Sequence, residues 1–355
     1  MAGGDDDDAG TGDRTAAVDR ADLAWDDPAG GAVVELPEPG VKLRRKSHDM
    51  AILHSSEESD WRTPPSVFEA TAPIYIIMPI LGARDYTVAA IADCLAQSVP
   101  TRLLLVNQGV DDPFRDELER IAEAHADRIL LWSHVPPLTS LAATWNRALD
   151  FVWEAGGEEA LVVNNDVRLP RETAALLQQQ LRRQAALFVS GVGVAPEQFN
   201  PQQDFTGADW SQHGGPDFSC FLISRDCHAE FRFDEAYIPA YGEDIDMHRR
   251  FLLAGQGHRI FSVNLPYLHY GSATLKEATA EKRAGIERAI SSGSRRHHEA
   301  KWGGPVNQET YLMPWGMPDG LLTVGGEIQR VTDGTATTPW LQAHPPQLVV
   351  LEGVR

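Results

Sequence analysis

Four groups of side chains in this chain have the types and spacing to do chemistry. The first is Asn164-Asn165-Asp166, which directly follows an apolar run at residues 160–163. A carboxylate preceded by two amides at the end of a strand suits a hard divalent cation, which takes oxygen ligands and keeps positions open for substrate phosphates. The same triplet is also an ordinary strand-to-turn junction. The second group is Tyr241-Gly242-Glu243-Asp244-Ile245-Asp246, three carboxylates within four residues, followed by a stretch at residues 247–255 that reads as a helix. Acids at a helix start are favoured by the dipole and by capping. Crowding them also raises the pKa of at least one and leaves a group able to take a proton from a hydroxyl, as general-base catalysis requires. The third is His269-Tyr270-Gly271-Ser272, closing an apolar run at residues 260–268; a lone histidine is commonly a packed or surface side chain. The fourth is a basic tract, Arg283, Arg288, Arg295, Arg296, His297, His298 and Lys301, in an otherwise acidic chain. Such a tract is usually a solvated helix face, and it is also where a diphosphate leaving group would find cationic donors.

The elements that position these groups can be read from hydrophobic patterning. Ile74-Tyr75-Ile76-Ile77-Met78-Pro79-Ile80 is a continuous apolar run rich in β-branched residues, the mark of a strand buried on both faces. A helix follows, with Asp85 as its cap and Val88, Ile91, Ala92 and Leu95 at helical spacing, ending before Pro100. The unit then repeats: a run at residues 103–107, a helix capped by Asp112 with Pro113 at its first position, and a run at residues 129–133. Next come a helix capped by Thr139 or Ser140 and closed by Gly156-Gly157, and the run that ends in Asn164-Asn165-Asp166. Alternating strands and helices of this length predict an α/β fold, a doubly wound, mostly parallel sheet flanked by helices. Ligands in such sheets bind beyond the carboxyl ends of the strands. Here those ends carry Pro79-Ile80-Leu81-Gly82, Asn107-Gln108-Gly109 and Asn164-Asn165-Asp166. Neither GxGxxG nor GxxxxGK[ST] occurs, so a nucleotide at this edge must be gripped without a dinucleotide fingerprint or a P-loop.

The 355 residues carry a formal net charge of −20, a field that repels polyanions and argues against nucleic acid as a partner. Residues 1–40 hold eleven Asp or Glu and two Arg, a net of −9, leaving −11 for the other 315 residues. Residues 1–73 are rich in Asp, Gly, Ala and Pro and are expected to be a largely disordered acidic leader. Cys94, Cys220 and Cys227 are too few and too scattered for a disulfide framework or a zinc site, which points to a reducing, cytoplasmic setting. Asp5 to Asp8 stand where a signal peptide would need positive charge, and no stretch approaches the roughly 18 apolar residues of a membrane span. Residues 305–355 form a C-terminal extension whose apolar runs, such as Leu348-Val349-Val350-Leu351, are readable as an added strand, a contact in a homo-oligomer, or a loose end.

Taken together, residues 74–304 resemble the family 2-type inverting glycosyltransferases with the GT-A fold. The resemblance rests on ordered features: the opening Ile-Ile-Met-Pro strand, Ala143-Thr144-Trp145-Asn146-Arg147-Ala148-Leu149, Val162-Val163-Asn164-Asn165-Asp166, and Phe233-Asp234-Glu235. These are followed by Gly242-Glu243-Asp244-Ile245-Asp246 with Arg249 behind, His269-Tyr270-Gly271-Ser272, and Lys301-Trp302-Gly303-Gly304. It implies a nucleotide-sugar-binding half at residues 74–166 and an acceptor and catalytic half at residues 167–304. The implied activity is a hexosyltransferase-like, inverting transfer from a nucleotide-diphosphate sugar to an acceptor hydroxyl. Asp166 and His269 would bind Mn²⁺ or Mg²⁺ at the diphosphate. Asp244 would be the general base, Glu243 the alternative base, and Asp246 a residue that orients the helix start or the acceptor. Pro79, Ile80, Asn107 and Gln108 would touch base and ribose; Asn146, Asn164, Asn165 and Lys301 would serve the donor; and Phe218 would lie near the acceptor, a glycan or a protein hydroxyl in preference to nucleic acid. Two positions depart from the family pattern. Asn164 replaces the first acid of the metal motif, and Asn107 stands where the family commonly has Asp, which leaves the nucleotide open. Two other readings remain: a sugar nucleotidyltransferase, for which Gly82-Ala83-Arg84-Asp85 is a poor match to the basic Gly-rich loop, and a non-catalytic nucleotide-sugar or carbohydrate-binding module.

Overall fold

The computed structural model describes residues 52–55, 74–134, 138–203, 205, 212–213, 215–311, 314–316, 321–324 and 327–330. The acidic residues 1–40 and the run Leu348-Val349-Val350-Leu351 lie outside them. Strands β1 (Ile52–Ser55), β2 (Ile74–Ile80), β3 (Thr101–Asn107), β4 (Ile129–His134) and β5 (Glu159–Val163) pair in parallel in the order β1-β4-β3-β2-β5. Helices α1 (Arg84–Leu95), α2 (Asp112–Ala124) and α3 (Leu141–Glu154) connect β2 to β5. β1 lies ahead of the start expected at residue 74: four residues with little apolar patterning pair with β4 through their backbone.

Every residue of β2 is buried. Tyr75 and Ile77 join the core on one face of the sheet and Ile74, Ile76, Met78 and Ile80 the core on the other, so the strand has no polar face to alternate with. The chain builds outward from β2 to one side and then crosses to β5 on the other. The loops after β2 and β5 therefore diverge and leave a crevice at their carboxyl ends. Local caps differ slightly from the sequence expectation. Asp111, one residue before Asp112, caps α2 by accepting from Phe114 N at 3.1 Å. α1 starts from Ala83 in a left-handed conformation, which puts Asp85 in its first turn. Ser140 caps α3 as expected, accepting from Ala143 N at 3.0 Å.

The second half comprises β6 (Val167–Arg168), α4 (Thr173–Arg183), β7 (Phe188–Val194), β8 (Gln212–His213) and β9 (Cys220–Ser224). After it come α5 (Arg225–Glu230), α6 (Glu243–Leu253), β10 (Ile260–His269), α7 (Ala273–Glu277), α8 (Ala280–Ile290) and α9 (Arg296–Trp302). The sheet continues β5-β9-β7-β10-β6, with β9 antiparallel to both neighbours and β10 parallel to β7 but antiparallel to β6. The mixed α/β architecture agrees with expectation, and the parallel pairings are concentrated in the first half. No helix among the described residues is long and apolar enough to cross a membrane.

α6 and α9 are joined by a buried ionic chain. Lys301 Nζ donates to Asp234 Oδ2 at 2.7 Å and lies 2.6 Å from Asp246 Oδ1; Asp246 Oδ2 accepts from Arg250 Nε at 2.8 Å, and Asp246 Oδ1 also accepts from Trp302 Nε1 at 3.1 Å. Arg250 donates onward to the Arg232 carbonyl, and His297 Nε2 lies 2.8 Å from Asp234 Oδ2. Burial works to raise the Asp234 carboxyl, but Lys301 and His297 overcome it and hold the group well below its usual range. Lys301 was expected to serve the donor, and Asp246 to orient the helix start or the acceptor; both are fully buried, which leaves Asp246 the helix-start alternative and takes Lys301 away from the donor. Lys301→Met would take the shared cation from two buried carboxylates, leaving Asp246 to Arg250 and Trp302 and Asp234 to His297, and the expected loss is about 3–5 kcal/mol of unfolding free energy, measurable as a lowered urea midpoint.

Candidate active site

A cavity of about 660 Å³ opens at the carboxyl ends of β2 and β5. Pro79, Ile80 and Leu81 line it from the end of β2, Gln108 from the end of β3, and Asn164, Asn165 and Asp166 from the end of β5. Ser140, Thr144 and Trp145 come from the start of α3, Asp217 and Phe218 from the turn before β9, Tyr241, Glu243 and Asp244 from the start of α6, and His269 and Ser272 from the end of β10. Asp166, Asp244 and His269, widely separated in number, share this one space.

Asp166 and His269 meet because β6 and β10 pair antiparallel, with Val167 opposite His269. Tyr270 N donates to the Asp166 carbonyl at 3.0 Å, and Ala273 N donates to Asp166 Oδ2 at 3.0 Å. His269 Nε2 lies 3.4 Å from Asp166 Oδ1. Burial acts to raise the Asp166 carboxyl, but the His269 and Ala273 contacts outweigh it, and the pKa falls below the ordinary value. Asp166 is therefore an ionised oxygen donor beside an imidazole nitrogen, a pair that fits a Mn²⁺- or Mg²⁺-like cation. Among the described residues no group of three or more His, Cys, Asp or Glu side chains could cage a metal. Two protein donors leave the rest of a coordination shell to phosphate oxygens and water, the usual arrangement for Mg²⁺ at nucleotides.

Across the cavity, α6 begins at Gly242, whose φ of 102° suits glycine; a Cβ there would stand 2.7 Å from Tyr237 Cε1. The preceding Tyr241 also has positive φ, 75°, a strained turn of the kind that clusters at ligand sites. This turn delivers Glu243 and Asp244 to the cavity as the first helical residues. Asp244 Oδ1 accepts from Ile245 N at 2.8 Å. Burial raises the Asp244 carboxyl; backbone amides of the helix start oppose this, and the Asp217 charge adds to it. Glu243 is buried, and its Oε2 has no hydrogen-bond partner among the described residues. Burial, reinforced by the Asp244 charge, pushes its carboxyl well above the ordinary range, a shift towards the neutral acid.

Other expected site residues serve the fold. Asn107 Oδ1 accepts from Gly109 N and Val110 N at 2.9 and 3.0 Å, and its Nδ2 donates to Ser133 Oγ, so the side chain is spent on turning the chain. Asn146 is fully buried; it clamps the Phe233 backbone and contacts Glu235 and His228. Neither lines the cavity, nor do Asp246 and Lys301. Asn165 does, while its Nδ2 ties the end of β5 to the Gly82 carbonyl at 2.7 Å and to Thr87 Oγ1 at 2.8 Å. Gln108 remains at the end of β3 with a buried Nε2 that has no partner among the described residues. In the basic tract, Arg283 donates to the Leu275 and Lys276 carbonyls, and His298 contacts Tyr237 and Glu309. Sequence reasoning missed Asp217, and it gave no role of their own to Tyr241 and Trp145, although both stand in the motifs it singled out. The Gly215-Pro216-Asp217 turn was the available signal for Asp217, but it points to the ligand edge only once β9 is known to run antiparallel.

No family profile matches the sequence, and no curated protein matches it. Solved structures do. The chain is similar to a mannosyltransferase from Pyrobaculum calidifontis solved with GDP-Man and Mn²⁺, at 17% identity and TM-score 0.42, covering 56% of each chain. It is similar to S. aureus TarS at 12% identity and TM-score 0.43, covering 64% of this chain and 72% of that one. It is also similar to glucosyl-3-phosphoglycerate synthase from Mycobacterium tuberculosis, solved with Mn²⁺ and UDP, at 14% identity and TM-score 0.44, covering 82% and 95%. The chain spans just over half the length of the mannosyltransferase. These are likenesses of overall shape, and the functional reading rests on the side chains of the cavity.

A carboxyl whose pKa is raised on folding stabilises the folded state in acid, and that contribution is lost as pH rises from its ordinary value through the folded one. For Glu243 that ordinary value is 4.5. Glu243→Gln, which keeps the neutral form at all pH, should therefore melt with the native chain in acid and progressively above it towards neutral and alkaline pH. Thermal melts across a pH series check this.

Proposed function

We propose that the protein is a glycosyltransferase that moves a sugar from a nucleotide-diphosphate sugar to an acceptor hydroxyl with inversion. The observation that carries the reading is the convergence of the Asp166–His269 pair and Asp244 on one cavity at the carboxyl edge of the sheet. The resemblance of the motifs at Asp166, Asp244 and His269 to those of family 2-type glycosyltransferases supports the same assignment. Pro79, Ile80 and Gln108 flank the base and ribose, with the unpartnered Gln108 Nε2 available to donate to a carbonyl on the base edge. Asn164 lines the donor next to Asp166. Asp166 and His269 would hold a divalent cation, which would supply charge neutralisation for the diphosphate.

Asp244 accepts the acceptor hydroxyl proton as that oxygen forms its bond to the anomeric carbon. The bond from that carbon to the diphosphate oxygen breaks on the opposite face, and the nucleoside diphosphate leaves with the bonding pair. Asp244 suits the role better than Glu243, since burial shifts the Glu243 carboxyl well above its ordinary value, towards the neutral form that cannot take a proton. The raised Asp244 carboxyl brings its proton affinity closer to that of a working base.

The test is nucleoside diphosphate release from a panel of UDP-, GDP- and dTDP-sugars with Mn²⁺. The native chain should release nucleoside diphosphate with at least one donor; release of pyrophosphate would indicate nucleotidyl transfer, and release of neither would leave a binding module. Asp244→Asn is expected to lower kcat about 10²–10⁴-fold and to remove the acid limb of the pH–rate profile. Near-native turnover by that variant would remove Asp244 from its role. Asp166→Ala should abolish turnover at every cation concentration tested.

A further inference from the structure

We propose that the acceptor is an uncharged, multiply hydroxylated molecule, a neutral glycan of at least two sugar units, seated beside Asp244 and extending past Asp217 into a second cavity. The proposal rests on the sugar-transfer reading and names the other substrate. Its first support is charge. The described residues lining the main cavity include Asp166, Asp217 and Asp244, and no lysine or arginine. The one group among the described lining residues able to carry positive charge, His269, is paired with Asp166, its Nε2 lying 3.4 Å from Asp166 Oδ1. A phosphorylated or carboxylated acceptor would be brought against Asp217 and Asp244 with no lysine or arginine among the described lining residues to offset them, a like-charge juxtaposition in a partly desolvated site. Hydroxyl groups are the complementary partners of such carboxylates, because each O–H can donate a charge-assisted hydrogen bond.

The second support is the way Asp217 is held. Its Oδ1 accepts from Ser219 N at 2.9 Å, its Oδ2 accepts from Gly193 N at 3.1 Å, and its own amide donates to Ser190 Oγ at 2.8 Å. The carboxylate is fixed by backbone on both oxygens yet keeps acceptor capacity towards the cavity it lines. Two buried polar atoms of the same cavity are also without a hydrogen-bond partner among the described residues, Trp145 Nε1 and Glu243 Oε2.

The third support is the space beyond. A further cavity of about 310 Å³ is lined by Gly191, Val192, Gly193, Gly215, Ser262 and Asn264, together with Asp217, which is common to both. It lies where β10 shifts register against β7 between Ser262 and Pro266, an irregularity that leaves Asn264 exposed on the strand. Its volume is at the lower end for small-molecule sites, and its walls are backbone, an amide and a hydroxyl with no cation among the described residues. A chain of sugar hydroxyls matches that lining.

The test is direct binding of sugars to the full chain without donor, by saturation-transfer NMR and calorimetry, followed by transfer assays with the same compounds. Maltose, cellobiose and mannobiose are the neutral disaccharides, glucose and mannose the single units, and glucose 6-phosphate and digalacturonate the anionic comparators. At least one neutral disaccharide should bind more tightly than its own monosaccharide, and the anionic comparators more weakly than their neutral counterparts by more than about tenfold. Asp217→Asn should narrow the gap between neutral and anionic compounds, a change that loss of folding would not produce. Asn264→Trp, at an exposed strand position, should bring the disaccharide to monosaccharide affinity by filling the second cavity. Anionic compounds binding as well as neutral ones, disaccharides no better than monosaccharides, or no neutral disaccharide bound at millimolar concentration would each overturn the proposal. Neutral disaccharide binding without nucleoside diphosphate release from any donor would count against the sugar-transfer reading alone. Efficient transfer to an anionic acceptor would count against this proposal alone.

Discussion

The antiparallel pairing of β6 with the end of β10 is the constraint on which the site depends. Two residues of β6 leave β5 and immediately meet Leu268 and His269, so the carboxyl ends of a strand from each half of the chain are pinned together. Asp166 completes the join with its backbone carbonyl and its side chain, accepting from Tyr270 N and Ala273 N. One carboxylate thereby holds the loop after β10 in place and presents its second oxygen to His269. A carboxylate in this position is not exchangeable for an amide, because each of its oxygens acts as an acceptor of charge-assisted hydrogen bonds.

Four neighbouring acids show how environment divides labour among like residues. Asp166 is shifted towards the ionised form by donors aimed at it, Glu243 towards the neutral form by burial, and Asp244 is raised by burial and restrained by the amides of a helix start. Asp246, in the same acidic run, is instead paired with Lys301 and Arg250 in the interior. Helix geometry separates them: Asp244 and Asp246 are two residues apart on α6, about 200° around the helix axis, so when one faces the cavity the other faces the core. The buried ionic chain then fixes the helix start, and the glycine turn at Gly242 sets its angle of entry.

Much of this was legible in the sequence where burial leaves a simple signature. β2 to β5 and β10 are buried on both faces and read as apolar runs, and Ser140 and Gly156 mark the ends of α3 by cap chemistry. Asp166, Asp244 and His269 stand at the ends of such elements, which is why their convergence followed from the fold. β1 was not legible, because Ile52-Leu53-His54-Ser55 gains its identity from pairing with β4 and not from its own pattern. The direction of β9 was hidden for the same reason, and with it Asp217. Asn107, Asn146 and Lys301 were misread because amides and cations suited to ligands are equally suited to satisfying buried backbone and buried carboxylates. Only the three-dimensional partner list separates those uses.

On the proposed function, Asp166 and His269 would form half a cation site that a nucleoside diphosphate completes. Mn²⁺ titration followed by electron paramagnetic resonance, with and without UDP or GDP, tests it most directly. The account predicts weak Mn²⁺ binding to the chain alone and binding tightened at least about tenfold by one of the nucleotides, a coupling free energy of about 1.4 kcal/mol, with the enhancement lost in Asp166→Ala. Mn²⁺ affinity indifferent to both nucleotides, or an enhancement that survives Asp166→Ala, would contradict it.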